Sequence, residues 1–250
     1  MTAALDLAFA SVGGRTVLTR RRYRWPLLVG RVFDDARRPG GGVLTVQNAA
    51  GTVIPGDVVH QHFSVSDGAV VTVRGQGATL VSGTPGGAEA VEEVTVTAEA
   101  GGEVMFVPAP RILTPRARYR QHLRVERTPG GRVVLVDAVV LHPDCGAGNF
   151  GAYNSVVEIR DDVGELLAFD AQSIDAMPRV PRAPTAFGTV YVLGASPTGL
   201  EAVVARLPAY GALTELPNGT GWAVRMAAPD GGVLRAGLAA VLESLVPVLS

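Results

Sequence analysis

Through its first two-thirds the chain is cut into short runs rich in Val and Thr, separated by clusters of Gly and Pro. Runs of that length, bounded by turn-forming residues, read as β-strands. Leu5, Leu7 and Phe9 alternate with smaller or polar residues near the start. Val70 to Val73, Val91 to Thr97, Val104 to Val107, Val156 to Ile159 and Leu166 to Phe169 follow the same habit. In VEEVTVT, Val94 and Val96 fall on one face and Thr95 and Thr97 on the other. Arg132 to Leu141 is almost continuously apolar, as in a strand buried on both faces. Thr189 to Leu193 is the last clear strand. These runs predict a mainly β, mostly antiparallel body over about residues 1–195.

The last quarter changes character. Thr198-Gly199-Leu200-Glu201 has the spacing of a capping box, predicting a short helix from Thr198 through about Leu207, stopped by Pro208. Leu234, Leu238, Val241, Leu242 and Leu245 share one helical face behind Asp230, a residue suited to cap a helix start. Two α-helices are therefore expected in about 196–250. The proline-rich stretch Ala176 to Pro184 reads as a connector within one domain spanning 1–250. No fixed-period repeat stands out.

The glycine-rich stretch GQGATLVSGTPGG at 75–87 raises the question of a phosphate loop. A Walker loop needs a lysine, and all 22 basic residues here are arginine. A dinucleotide fingerprint needs a third glycine where Leu80 stands, and a helix where strands flank the stretch. The glycines are read as turns between strands. The same lack of lysine rules out Schiff-base chemistry. The single cysteine, Cys145, excludes an intrachain disulfide and fits a reducing compartment. No basic n-region opens the chain and no run reaches the ~18–20 apolar residues of a membrane span. A cytoplasmic protein is expected, with no membrane partner.

Polar candidates are few. RTVLTRRRYR at 15–24 holds five arginines around Tyr23, a pattern for a nucleic-acid patch, a solvated strand face or a protein-docking edge. With a net charge of −1 and no global positive field, nucleic acid is not the expected partner. His60 and His62 lie two apart, on one side of a strand, and His142 with Cys145 has chelate spacing but no second ligand pair. Asp137 interrupts VLVDAVVL and Asp170 follows LLAF, both costly places for a carboxylate unless it is paired or opens on a polar cavity. Asp57 follows Gly56 after an apolar stretch. Hard oxygen ligands of this kind suit a polar path that hands on a divalent metal.

In order along the chain, these segments resemble the urease accessory protein UreD (UreH) family. GRTVLTRRRYRWPLLVGRVF is similar to its opening strand, and VQNAAGTVIPGD to its Asn, Gly and Gly-Asp pattern through Asn48, Gly51, Gly56 and Asp57. Gln76, Gly77, Ala78, Thr79 and Val81 match a third segment, which accounts for the glycine-rich stretch. Pro108, Pro110, Ile112, Ala117, Arg118, Tyr119 and Gln121 match a fourth, and LPNGTGWAVRMAAPDGGVLRAGLAAVLESL resembles the family's end. LHPDCGAGNFGAYNS, at 141–155, stands where the family usually carries Gly-Arg and Gly-Glu. The resemblance implies a β-helix-like body with two C-terminal helices. It implies no enzyme and no tightly bound cofactor, but a chaperone that acts with UreF and the GTPase UreG on apo-urease during GTP-dependent nickel incorporation. It places Asp57 on a polar nickel path; Asp137 and Asp170 join it from burial. The rival readings are a carbohydrate-type ligand-binding module and a hydrolase pairing Asp57 with His60.

Overall fold

In the computed structural model, which describes residues 2–177 and 183–245, the chain begins with a hairpin of β1 (Thr2–Val12) and β2 (Arg15–Tyr23). β3 (Leu27–Val29) and β4 (Phe33–Asp34) follow. The chain then coils. β5 (Gly42–Asn48), corner strand β6 (Thr52–Val53) and β7 (Val58–Val65) make the first coil. β8 (Val70–Gly75), β9 (Thr79–Val81) and β10 (Ala90–Ala98) make the second. β11 (Glu103–Val107), β12 (Arg111–Leu113) and β13 (Arg118–Arg127) make the third. β14 (Arg132–Leu141) and β15 (Ala152–Arg160) make the fourth, its corner taken by the loop between them. β16 (Leu166–Ile174), β17 (Ala186–Leu193), α1 (Leu200–Val204), β18 (Tyr210–Glu215), β19 (Gly221–Ala228) and α2 (Gly231–Leu245) complete the chain.

Each coil contributes one long strand to each of two sheets, and the short corner strands β6, β9 and β12 join the second. The first sheet has seven strands, ordered β16-β15-β13-β10-β7-β1-β2. The second has twelve, with β18-β19-β17-β14-β11-β8-β5-β3 as its main path. The β-helix-like, mainly β architecture is as expected, but the antiparallel pairing is corrected. β1, β7, β10, β13 and β15 run parallel, as do β5, β8, β11 and β14. Only the ends of the sheets, at β2, β3, β4, β16, β17, β18 and β19, are antiparallel. Within the coils, turns such as Ala100-Gly101-Gly102 that read as hairpins are corners, sending the chain to the opposite sheet instead of back beside itself.

The glycine-rich stretch shows how the coils stack. A Cβ on Gly75 would sit 2.0 Å from the amide nitrogen of Ala109, and one on Gly83 would sit 2.1 Å from that of Ala117. Both glycines let one coil's backbone rest on the next. The coils begin at Gly42, Val70, Glu103 and Arg132, so their lengths are unequal and no fixed period reaches the sequence.

Phe9, Leu44, Phe63, Val96, Val125 and Leu135 fill the space between the sheets. On the far side of the second sheet, α2 packs Leu234, Val241 and Leu245 against Val190, Val224 and Ala228. Asp230 caps α2 as expected, its Oδ1 accepting the N–H groups of Gly232 (2.7 Å) and Val233 (2.9 Å). α1 is shorter than predicted, and Thr198 does not cap it: Gly199 holds that place at φ 84°, and the Thr198 hydroxyl bonds Ser196. Residues 196–250, read as a helical part, also contain β18 and β19, which the sequence reading missed. Most of the proline-rich connector, 178–182, lies outside the described residues. Among the described residues no helix is long and apolar enough to cross a membrane.

Candidate functional site

A polar seam crosses the otherwise apolar interior. On the first sheet, Glu92 of β10, Gln121 of β13 and Ser155 of β15 are register partners on adjacent parallel strands. Strand alternation sends all three inward, with the Val and Leu residues two positions on. Gln61 of β7 joins diagonally, its Nε2 donating to Glu92 Oε1 at 2.7 Å. From the other side come Asp137 of β14 and Arg111 of β12. The seam separates the main interior cluster from a smaller one holding Val53, Val81, Leu113 and Val139.

The seam is densely bonded. Arg111 donates from Nε to Glu92 Oε2 (2.8 Å) and from Nη2 to Oε1 (2.5 Å), a two-point pair in which Glu92 is 3% exposed. The Tyr119 hydroxyl donates to Glu92 and accepts from Arg111 Nε at 3.1 Å, and Arg111 Nη1 also donates to the Ala109 carbonyl. At the other end, Asp137 accepts from Ser155 Oγ (2.7 Å), Gln121 Nε2 (2.9 Å) and, more loosely, the Tyr153 hydroxyl (3.5 Å). The Tyr119 and Tyr153 rings stack with their centroids 6.3 Å apart.

Burial sets the protonation of these groups. It pushes the Asp137 carboxyl above the usual aspartate range, against the opposing pull of Ser155, Gln121 and Arg111. Burial would pull the Arg111 guanidinium down, but Glu92 and Tyr119 outweigh it, so Arg111 stays charged. Tyr119 and Tyr153 are raised by burial and then by Glu92 and Asp137 respectively, which keeps both hydroxyls as donors. A cavity of about 40 Å³ adjoins the Glu92 end, lined in part by Asn48, Gln61, Gln76 and Arg111. That is room for about one water with several polar partners.

The structure separates the three aspartates singled out in the sequence. Asp137 lies in the seam. Asp57 is buried in the turn before β7, its Oδ2 accepting the Ile54 N–H at 3.1 Å. Asp170 of β16 lies in an open groove of about 470 Å³ beside β17, β18 and β19. There it accepts from Arg225 Nη2 (2.6 Å) and the Tyr191 hydroxyl (2.7 Å), and Tyr191 is raised by burial and by Asp170. The three do not form one ligand set, and no described group of three or more His, Cys, Asp and Glu residues is arranged to hold a metal.

Asp57 and His60 are likewise apart. His60 is on the outer face of the first sheet, its Nδ1 3.1 Å from Glu93 Oε2. Cys145 donates its thiol to the Leu113 carbonyl at 3.2 Å and is raised by burial, so it anchors the 141–155 loop to β12 instead of forming a chelate with His142. Glu92 and Arg111 were not singled out in the sequence, although Glu92 shares its strand parity with Val94 and Val96. A second buried arginine was also missed. Arg38 donates to Glu103 Oε1 (2.7 Å), Asp35 Oδ2 (3.1 Å) and the Thr72 hydroxyl.

Comparison with known proteins gives a consistent result along the whole chain. The profile of the UreD urease accessory protein family matches residues 1–250. Urease accessory protein UreD of Mycolicibacterium smegmatis (strain ATCC 700084 / mc(2)155) is 55% identical over 234 residues, covering 93% of this chain and 86% of that protein. Urease accessory protein UreD 2 of Bradyrhizobium sp. (strain ORS 278) is 35% identical over 249 residues, covering 95% and 87%. UreD 1 of Methylorubrum extorquens (strain PA1) is 33% identical over 260 residues, covering 98% and 87%. By full-length match and by identity, this chain belongs to the UreD urease accessory protein family.

Proposed function

We propose that the chain is a non-catalytic scaffold of urease maturation in the cytoplasm, acting with UreF and the GTPase UreG on apo-urease during GTP-dependent nickel incorporation. The observation that carries this reading is the match to urease accessory proteins over the whole chain, at 55% identity to one of them. Nickel is cargo here, not a resident cofactor. The polar seam supports a place for it, because Asp137 brings carboxylate oxygens into the interior of the β-body. In this reading Asp137 is the interior station for a transient ion, while Asp57 and Asp170 act separately at the β7 turn and in the β16 groove. Separate single carboxylates suit transit, since a closed ligand set would hold the ion too tightly.

The test is co-expression of the tagged chain with UreF, UreG and the urease subunits of its own source, followed by affinity copurification and nickel analysis of the urease. A stoichiometric complex with UreF is expected, together with nickel-poor urease when the chain is deleted. Soluble, folded protein that fails to copurify, with fully loaded urease in the deletion strain, overturns the reading.

A further inference from the structure

The five arginines of 15–24 have unequal fates. Arg15 is tied to Asp34 at 2.7 Å, and Arg20 to Asp6 at 2.9 Å. Arg21 donates to the Val29 carbonyl at 2.7 Å and lies over the Tyr23 ring. Among the described residues, Arg22 and Arg24 have no acidic partner. Arg22 is the register partner of Asp6, and the Arg24 N–H continues the ladder to the Ala4 carbonyl, so the two are on one side of the strand. Their positions are about 7 Å apart along it.

Both arginines border an open hollow of about 790 Å³ on the outer face of the first sheet, floored by His60 and His62. The hollow's carboxylates are already engaged. Asp6 is held by Arg20 and by His62 (3.2 Å), and Glu93 by His60 (3.1 Å). What remains is two uncommitted guanidiniums and no uncommitted acid. This is a local positive excess on a chain whose net charge is −1.

We infer that this hollow docks an acidic, extended segment of a protein partner, with carboxylates two residues apart seated on Arg22 and Arg24. The inference does not depend on the urease-maturation reading. The spacing matches, because side chains at i and i+2 of an extended partner strand repeat at the same ~7 Å as the two arginines. Guanidinium–carboxylate pairs are directional and two-pronged, which gives such a segment register as well as attraction. A nucleic-acid backbone fits less well. Its phosphates run without interruption, whereas Asp6 and Glu93 lie inside the hollow and would oppose part of any such track.

The test uses the full chain and a short fluorescein-labelled peptide of alternating Glu and Ser, read by fluorescence anisotropy. An alternating Lys and Ser peptide and an oligo-dT strand serve as competing probes. The acidic peptide should bind. The double reversal Arg22→Glu with Arg24→Glu should weaken it about tenfold or more, while the charge-matched control Arg37→Glu with Arg118→Glu should leave it nearly unchanged. No binding by the unaltered chain overturns the inference and leaves the arginines as guards of an exposed edge strand. Equal weakening by both double variants overturns it as diffuse electrostatics. Preference for oligo-dT overturns it in favour of nucleic acid.

Discussion

The two sheets share one interior, yet their outer faces differ. Behind the second sheet, α2 covers β17 and β19, and β14 is buried from Val133 through Val139. The outer face of the first sheet carries charged and polar side chains instead, and β13 alternates buried with more exposed residues along its length. β13 and β14 are neighbours in the chain, so the contrast arises from what lies behind each strand. Covering turns a two-residue rhythm into a continuous apolar run. The covered sheet supplies stability, and the bare one offers a surface to other molecules. Between them the seam is a third environment, polar and buried.

Charges in these environments should therefore count very differently. The largest effect is expected inside. Glu92→Ala strands the Arg111 guanidinium without its two-point partner, and should cost about 3–5 kcal/mol in urea unfolding. A loss below about 1 kcal/mol would mean that water reaches the seam, and the contrast between interior and outer face would fail. The next effect is behind the second sheet. Leu234 packs close to Gly188, and Leu234→Ala should cost about 2–5 kcal/mol by opening a cavity under α2. Unfolding of the variant in the same assay checks it; a cost near zero would mean that α2 does not cover the sheet in solution.

Much of this contrast was legible beforehand. The unbroken run around Asp137 marked a strand covered on both sides, and a carboxylate there had to find polar company, as it does in Gln121 and Ser155. The spacing from Leu234 to Leu245 marked the covering helix. Glu92 was legible in principle, because it shares parity with Val94 and Val96, but one acid beside another in VEEVTVT draws no notice. Arg111 left no signal: β12 has three residues, too few for a period, and follows a proline. The parallel pairing was hidden because a corner and a hairpin use the same glycines. β18 and β19 were missed because their runs are rich in Ala and Gly, with few of the β-branched residues that mark strands.

A smaller effect should come from the pH dependence of the seam. Burial raises Asp137, so the folded state holds its proton more tightly than the unfolded chain, whose aspartates titrate near pH ~4. That contribution is fully present below about pH 4 and is lost as pH rises through the raised value. Asp137→Asn removes it. The stability difference between variant and unaltered chain should therefore shift in the variant's favour as pH rises from about 4 to 7. Glu103, also raised by burial, is present in both proteins and cancels in the difference. Unfolding curves across that range check it, and a flat difference would place Asp137 in contact with solvent.

The smallest effect on stability should come from the bare face. Glu93 and His60 are each about half exposed, and pairs of that kind contribute about 0–1 kcal/mol. Glu93→Gln should leave the unfolding midpoint nearly unchanged. It also removes one negative charge from the hollow beside Arg22 and Arg24, so the acidic peptide should bind more tightly, by about twofold to threefold at low salt, with the gain shrinking as salt is added. Anisotropy titrations at two salt concentrations, set beside a urea curve, separate the two quantities. A change in binding without a change in stability would make this face a surface for partners. A loss of stability matching that of Glu92→Ala would show instead that the first sheet's outer face is as closed as its interior, and the distinction between the two sheets would be lost.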